Sequence, residues 1–247
     1  MKILAICGSP RKKNSYHALE SIRDAMPRID FEILHLKELD LNFCKGCYGC
    51  VLRGEEKCPL KDDRDMILRK ISKADGLILA SPVYSLMVSA LTKNFIDRLG
   101  YIAHRPRFFH KYAMSMVTCS GYGAVEALEY MDKMLSVFGF NLAPSLELQI
   151  HPGTVSEKTI ALNTEKSVRA VDALVAKIEK GERDKPSLSL MIPFSIFKYV
   201  SKLDKDLMPA DFDYYKDKEH YYYDAKIPFY KKFIAKRVSD KIIKHFD

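Results

Sequence analysis

Along the first 180 residues, short apolar runs give way repeatedly to longer stretches in which apolar residues recur at steps of three and four. The first run, Lys2-Ile-Leu-Ala-Ile-Cys7, has almost no polar position, as expected of a strand covered on both faces. From Ser15 onward Ala18, Leu19, Ile22, Ala25 and Met26 mark one face of a helix. Residues 29–36 alternate apolar and polar, which predicts a second strand near a sheet edge. A helix over 62–71 follows, with Asp62 or Asp63 as N-cap and Met66, Ile67 and Ile71 on one face. Residues 76–80 read as a third strand, 81–86 as its exit loop and 88–99 as a helix. A fourth strand over 112–118 ends in the loop 119–123 and is followed by a helix over 124–138. A fifth strand over 145–150 and a helix over 163–180 complete the alternation. Strand and helix in strict turn predict one parallel sheet with helices on both faces. The glycine- and serine-bearing loops after strands one, three and four would then share the crevice where open α/β sheets bind ligands.

The first of these loops, Gly8-Ser-Pro-Arg-Lys-Lys-Asn-Ser15, lies between a strand's carboxyl end and a helix's amino end. Amides there have no intrahelical partner and the helix dipole is positive, so the place favours a phosphate. Ser9, Asn14 and Ser15 add hydroxyl and amide donors, and Arg11 adds a planar cationic fork. The plainer alternative is a βα turn with Ser15 as an ordinary N-cap.

At 247 residues the chain suits one larger domain with an appendage: residues 1–182 as the α/β domain and 183–247 as a C-terminal extension. The extension carries nearly half the chain's aromatics, with Tyr221-Tyr-Tyr223 and Ile227-Pro-Phe-Tyr230 set among lysines. It is expected to pack those rings on the domain or on a partner subunit. The basic run over 231–246 keeps open contact with a membrane surface or a redox partner. A net charge of +8 suits anionic ligands in general, and no zinc-finger, RNA-binding or helix-turn-helix signature points to nucleic acid. No leader is read at the start, and no apolar run approaches the ~20 residues of a membrane helix. The longest, over 188–200, is interrupted by Pro193 and Lys198. A cytoplasmic protein is expected, and in that reducing setting six cysteines read as ligands, redox groups or core filler.

Three segments together carry a family resemblance. GSPRKKNS at 8–15, SPVYSLMVSALTKNFIDR at 81–98 and CKGCYGCVLRGEEKCPLKDD at 44–63 resemble the flavodoxin-like NAD(P)H-dependent FMN reductases, in the branch containing the iron–sulfur flavoproteins. The resemblance covers roughly residues 1–180. It implies a doubly wound, five-stranded sheet in the order 2-1-3-4-5. It also implies FMN as cofactor, NAD(P)H as co-substrate and a homo-oligomer, dimer or tetramer, whose second subunit completes the flavin crevice. Ser9, Arg11, Asn14 and Ser15 would hold the FMN phosphate. Pro82, Val83, Tyr84 and Ser85 would lie beside the isoalloxazine ring, with Tyr84 as a positioning group. Ser120, Gly121, Tyr122 and Gly123 stand where the family has its third, glycine-rich loop. Two departures are visible: the first loop is one residue shorter than the commonest form, and Tyr122 replaces a frequent glycine. Asp97 and Arg98, at the helix end, read as a structural ion pair.

Cys44, Cys47, Cys50 and Cys58 are spaced C-x2-C-x2-C-x7-C. The spacing leaves three readings open: a 4Fe–4S cluster, zinc, or a metal-free reduced loop beside the flavin. Cys7 reads as core filler, whereas Cys119 lies close enough to the crevice for a thiol role. His17, His35, His104, His110, His151, His220 and His245 are scattered, with no triad or metal-hydrolase motif among them. The resulting expectation is an FMN-dependent oxidoreductase that accepts hydride from NAD(P)H and passes electrons to an acceptor, directly or through a cluster. Its alternatives are an FMN-binding electron carrier with a protein donor, and a cofactor-free binding protein.

Overall fold

A computed structural model describes residues 1–150 and 156–244. His151, His245 and the end of the basic run over 231–246 lie outside the described residues. The chain begins β1 (Lys2–Cys7), α1 (Asn14–Ala25), β2 (Asp30–His35), α2 (Gly49–Leu52), α3 (Arg64–Lys73), β3 (Gly76–Tyr84), β4 (Met87–Val88), α4 (Ala90–Arg98) and α5 (Tyr101–His104). It continues β5 (Tyr112–Cys119), α6 (Ala124–Phe138), β6 (Asn141–Leu142), β7 (Leu146–Gln149), α7 (Glu157–Lys180), α8 (Leu188–Leu203), α9 (Pro209–Tyr215) and α10 (Phe229–Ile243). These elements fall into two compact units. The first comprises Met1–Cys44, Lys61–Leu99 and Arg107–Arg183, and the second Lys45–Leu60, Gly100–Pro106 and Asp184–Asp247.

In the first unit the parallel order β2-β1-β3-β5 is completed by a fifth strand in two pieces, β6 and β7, both paired with β5. This is the expected 2-1-3-4-5 order, with the fifth strand starting earlier than its apolar run suggested and broken between Leu142 and Leu146. Every β1 residue but Lys2 is buried, as its unbroken apolar run requires. Ile3, Ala5 and Cys7 pack with Leu19 and Ile22 of α1 and Val171 and Leu174 of α7. Leu4 and Ile6 alternate to the opposite face and are equally buried. Right-handed crossovers in this strand order put α1 and α7 on one face and α3, α4 and α6 on the other.

The third strand runs further than expected. Residues 81–84, expected to be loop, continue β3, with Ser81 opposite Val117 and Pro82 opposite Thr118 of β5 and Val83 opposite Val88 of β4. β1 pairs with β3 only as far as Ala80, so Pro82, which has no N–H, stands where that neighbour has ended. Ser85 and Leu86 then both take positive φ, 49° and 65°, and the chain doubles back as β4, with Tyr84 opposite Met87. A two-residue turn with both central φ values positive is the tight hairpin connection that matches strand twist.

The second unit is helical. α9 and α10 pack against α8, and α2 against α5 and α9. Its core is aromatic: Phe194 and Tyr215 are nearly inaccessible, Tyr221 and Tyr222 are buried, and the Phe194 ring meets the other three edge-on or tilted. Tyr214 and Tyr215 donate their hydroxyls to the carbonyls of Pro106 and His104. The apolar run over 188–200 is helix throughout, Pro193 included. No helix among the described residues is long and apolar enough to cross a membrane.

Candidate functional site

The switch in strand order falls between β1 and β3, and there the first unit holds a cleft of about 240 Å³. Its first wall is the loop after β1, through Ser9, Arg11, Lys13, Asn14 and Ser15. The end of β3 supplies Pro82, Val83 and Tyr84, and the end of β5 supplies Thr118, Cys119 and Ser120, with Ile150 beyond. Of the residues expected at a ligand, Ser9, Arg11, Asn14, Ser15, Pro82, Val83, Tyr84 and Ser120 therefore meet around one space. Ser85, Gly121, Tyr122 and Gly123 are not among its walls. Tyr122 is 89% exposed.

Cys119 lines the cleft, as its place at the end of the fourth strand suggested, and Lys13, Thr118 and Ile150 line it without having been expected there. The signal for Thr118 was a hydroxyl at the carboxyl end of an otherwise apolar strand. Ile150 carried no such signal.

The first wall joins a helix start to two cationic side chains. α1 starts at Asn14 with no side-chain cap and no acidic residue in its first turn, so its leading amides remain available. No ion pair holds Arg11 or Lys13 among the described residues, whereas Lys12 is paired with Glu38 at 2.5 Å. The Ser9 hydroxyl donates to the Arg11 carbonyl at 2.7 Å and accepts the Arg11 amide at 3.3 Å, which shapes the turn. Buried His35 closes the loop from behind, its Nε2 2.7 Å from the Ser9 carbonyl. A carbonyl only accepts, so Nε2 carries the proton.

Hydroxyl bonds lock the three walls together. Ser89, the N-cap of α4, donates to the Gly8 carbonyl at 2.5 Å, while its own amide donates to Ser81 Oγ at 3.0 Å. Gly8 cannot carry a side chain, because a Cβ there would lie 1.9 Å from Thr92 Oγ1. Gly123 has φ +92°, and its Cβ would lie 2.5 Å from the Leu86 Cα, so the third loop abuts the β3–β4 turn backbone to backbone. Cys119 organises that third loop through its thiol, which accepts the Gly121 amide and donates to the Tyr122 carbonyl, both at 3.3 Å. Cys7 is core, as expected, and burial raises its thiol pKa.

The stem of the cysteine segment is fastened within the same unit. Asp63 donates its amide to the Asp40 carbonyl and accepts the Asp40 amide on its carboxylate, each at 2.8 Å, closing the base of the excursion. Asn94 of α4 accepts the Cys44 amide at 3.2 Å and donates to the Leu41 carbonyl at 3.0 Å. Arg98 donates to the Asn42 carbonyl at 2.8 Å and pairs with Asp62, both side chains being almost fully buried. Burial alone would raise the Asp62 carboxyl, but Arg98 and the amides of Arg64 and Asn42 outweigh it and hold its pKa below the usual value.

Asp97, expected to pair with Arg98, is instead paired with Lys93 at 2.6 Å, one helical turn away. Consecutive helix positions do not face one another, whereas i and i+4 do.

None of the cysteines is in a disulfide: Cys44 and Cys47 are exposed, Cys50 half-buried and Cys58 buried. Among the described residues no three His, Cys, Asp or Glu side chains converge as metal ligands.

A family profile described as NADPH-dependent FMN reductase matches residues 1–154. An iron–sulfur flavoprotein of Archaeoglobus fulgidus is 31% identical over 226 residues, spanning 88% of this chain and 99% of that protein. An iron–sulfur flavoprotein of Clostridioides difficile is 25% identical over 208 residues, 82% of this chain and 90% of that one. Among solved structures, RosB with a bound riboflavin-phosphate-derived intermediate matches with a TM-score of 0.55 at 15% identity, over 93% of this chain and 92% of that one. At that identity the likeness speaks to the fold alone. The matched profile and the full-length relative together place the chain in the NADPH-dependent FMN reductase family, with a flavodoxin-like fold.

Proposed function

We propose that the chain is an oxidoreductase that binds FMN in the cleft at the β1/β3 switch, takes hydride from NAD(P)H and passes the electrons to an acceptor. One observation carries this reading: an uncapped helix start flanked by Arg11 and Lys13, neither in an ion pair among the described residues, faces, across one cleft, a wall of Pro82, Val83 and Tyr84. That pairing of anion site and flat apolar wall fits a phosphate at one end of the ligand and a planar ring at the other. FMN, when bound, would supply the hydride-accepting and electron-releasing chemistry.

The chain supplies grip and orientation. The first-turn amides of α1 with Arg11, Lys13, Asn14 and Ser15 hold the phosphate. The Ser15 and Thr118 hydroxyls share a hydrogen bond, and with Thr118 as its donor the Ser15 proton is free for the anion. Pro82 and Val83 back the ring, and Tyr84, 40% exposed, lies at the mouth of the cleft as a positioning group. No side chain is needed as a general acid or base.

We infer further that Cys44, Cys47, Cys50 and Cys58 hold a 4Fe–4S cluster. The donor set supports this: four thiols free of disulfides on one segment tied at its base, in a chain whose relatives are iron–sulfur flavoproteins. A bound cluster would supply one-electron transfer. A homo-oligomer in a reducing cytoplasm belongs to the same reading. It is supported by the absence of disulfides and by the exposed Phe229, Tyr230 and Phe233 of α10.

Anaerobic titration tests the core of the reading. Protein reconstituted with FMN is expected to lose its flavin absorbance on addition of NADH or NADPH. Flavin that binds but stays oxidised with both nucleotides would instead indicate an electron carrier, and protein that takes up no FMN a cofactor-free binder. Iron and labile sulfide, measured on the same sample, are expected at about four each per chain.

A further inference from the structure

The second unit contains a chain of buried charge for which the flavin site has no use. Arg105, just after α5, is 4% exposed, and Asp211 of α9 is fully buried. Arg105 Nη1 donates to Asp211 Oδ1 and, at 2.7 Å, to the Val51 carbonyl, while Nη2 donates to the Cys50 carbonyl at 2.6 Å. The other Asp211 oxygen lies 2.9 Å from His104 Nδ1, and the His104 ring is stacked on Phe197 with centroids 4.3 Å apart.

Both carbonyls belong to α2, a helix of four residues. Helices this short do not persist by themselves, and their last carbonyls lack intrahelical partners. The flanking backbone turns sharply, with positive φ at Gly46, Tyr48 and Gly54. The segment bearing Cys47, Cys50 and Cys58 therefore depends on groups outside itself for a fixed backbone. Arg105 supplies two donors at its centre. A guanidinium so buried needs a counter-charge. Glu55, within the segment itself, lies 3.7 Å from Nη2, and the carboxylate that Arg105 bonds directly, Asp211, comes from the C-terminal extension.

We propose that Arg105, held by Asp211, is the positioning residue of the cysteine segment, so that the C-terminal extension sets where Cys50 is presented for cluster ligation. The geometry is that of the Asp211–Arg105–Cys50 contacts; the consequence for ligation rests on the cluster reading above.

The test uses full-length protein and two variants. Arg105→Lys keeps the charge beside Asp211 but gives up the fork that reaches both carbonyls. Asp211→Asn removes the carboxylate that Arg105 bonds directly and leaves it the longer pair with Glu55. In iron-free protein, iodoacetamide labelling of Cys50, followed by peptide mass spectrometry, is expected to speed up several-fold in both variants. Labelling of Cys7 and Cys119 in the first unit, and the circular dichroism, should not change.

After anaerobic reconstitution the iron-to-flavin ratio should fall and the electron paramagnetic resonance g-values of the residual reduced cluster should shift. Lys216→Ala, which loses only an exposed ion pair with Asp213 just after α9, should match the unaltered protein in every readout. Unchanged Cys50 labelling in folded variants would overturn the proposal. Should Asp211→Asn fail to fold, Arg105→Lys decides. If the unaltered protein takes up no iron, the cluster reading falls, while the labelling still decides whether Arg105 positions the segment.

Discussion

Ser15 Oγ and Thr118 Oγ1 lie 2.6 Å apart, joining the first turn of α1 to the end of β5 across 103 residues of sequence. Both side chains are buried, so the bond fixes the angle between two walls of the cleft. Thr118→Val keeps the shape and removes the partner, leaving a buried hydroxyl unsatisfied at a cost of about 1–3 kcal/mol. Urea unfolding should show that loss, and an FMN titration should show weaker binding. Unaltered FMN affinity in the destabilised variant would separate this bond from the binding site.

Arg11 is exposed and held by no ion pair among the described residues, so its removal should leave stability unchanged. A charge-assisted bond to a phosphate contributes roughly 1.5–3 kcal/mol, so Arg11→Ala is expected to weaken FMN about 10- to 100-fold. Isothermal titration calorimetry beside a thermal melt reads both quantities. Riboflavin, which lacks the phosphate, should bind variant and parent alike.

Gly123 tests the contact between the second and third loops. An alanine there meets both a positive φ and the Leu86 backbone, which cannot step aside as a side chain tip could. Gly123→Ala should cost about 1–3 kcal/mol in strain and displace the β3–β4 turn that carries Tyr84 and Ser85. The expected readout is a lower melting temperature together with an altered flavin absorbance band. The neighbouring Gly121, with open space at its Cβ position, should accept alanine without either change.

The Asp62–Arg98 pair gives stability a pH dependence of known sign. The Asp62 pKa is lower in the folded state, so its contribution is complete above the unfolded value of about 4 and is lost as pH falls through the folded value. Midpoints of urea unfolding should fall below about pH 4 in the parent and fall less steeply in Asp62→Asn. At neutral pH that variant leaves a buried guanidinium without its counter-charge, a loss of about 3–5 kcal/mol. A parent whose acid limb matches that of Asp62→Asn would remove the pair from the acid response.

Where neighbouring residues decide an element, the amino-acid pattern was enough. β1 over Lys2–Cys7 and α6 over Ala124–Phe138 stand at their expected positions, because burial on two faces or on one helical stripe leaves its period in the local sequence. The place of the cleft was legible for the same reason, since alternating strands and helices put the loop ends on one side of the sheet. The ends of β3 were not. Ser81 and Pro82 look like loop residues until β5 offers Val117 and Thr118 as partners, and Val83 and Tyr84 until β4 doubles back beside them.

The sequence by itself thus determined the sheet, the place of the cleft and, through the resemblance, the strand order and the family. Only the tertiary structure decided which side chains meet: Thr118 with Ser15, Arg98 with Asp62 rather than Asp97, and Asp211 with Arg105 behind Cys50. The physical reason is range. Hydrophobic period is written over a few neighbouring residues, whereas a buried polar group needs some partner and is satisfied by whichever one the folded chain brings within 3 Å.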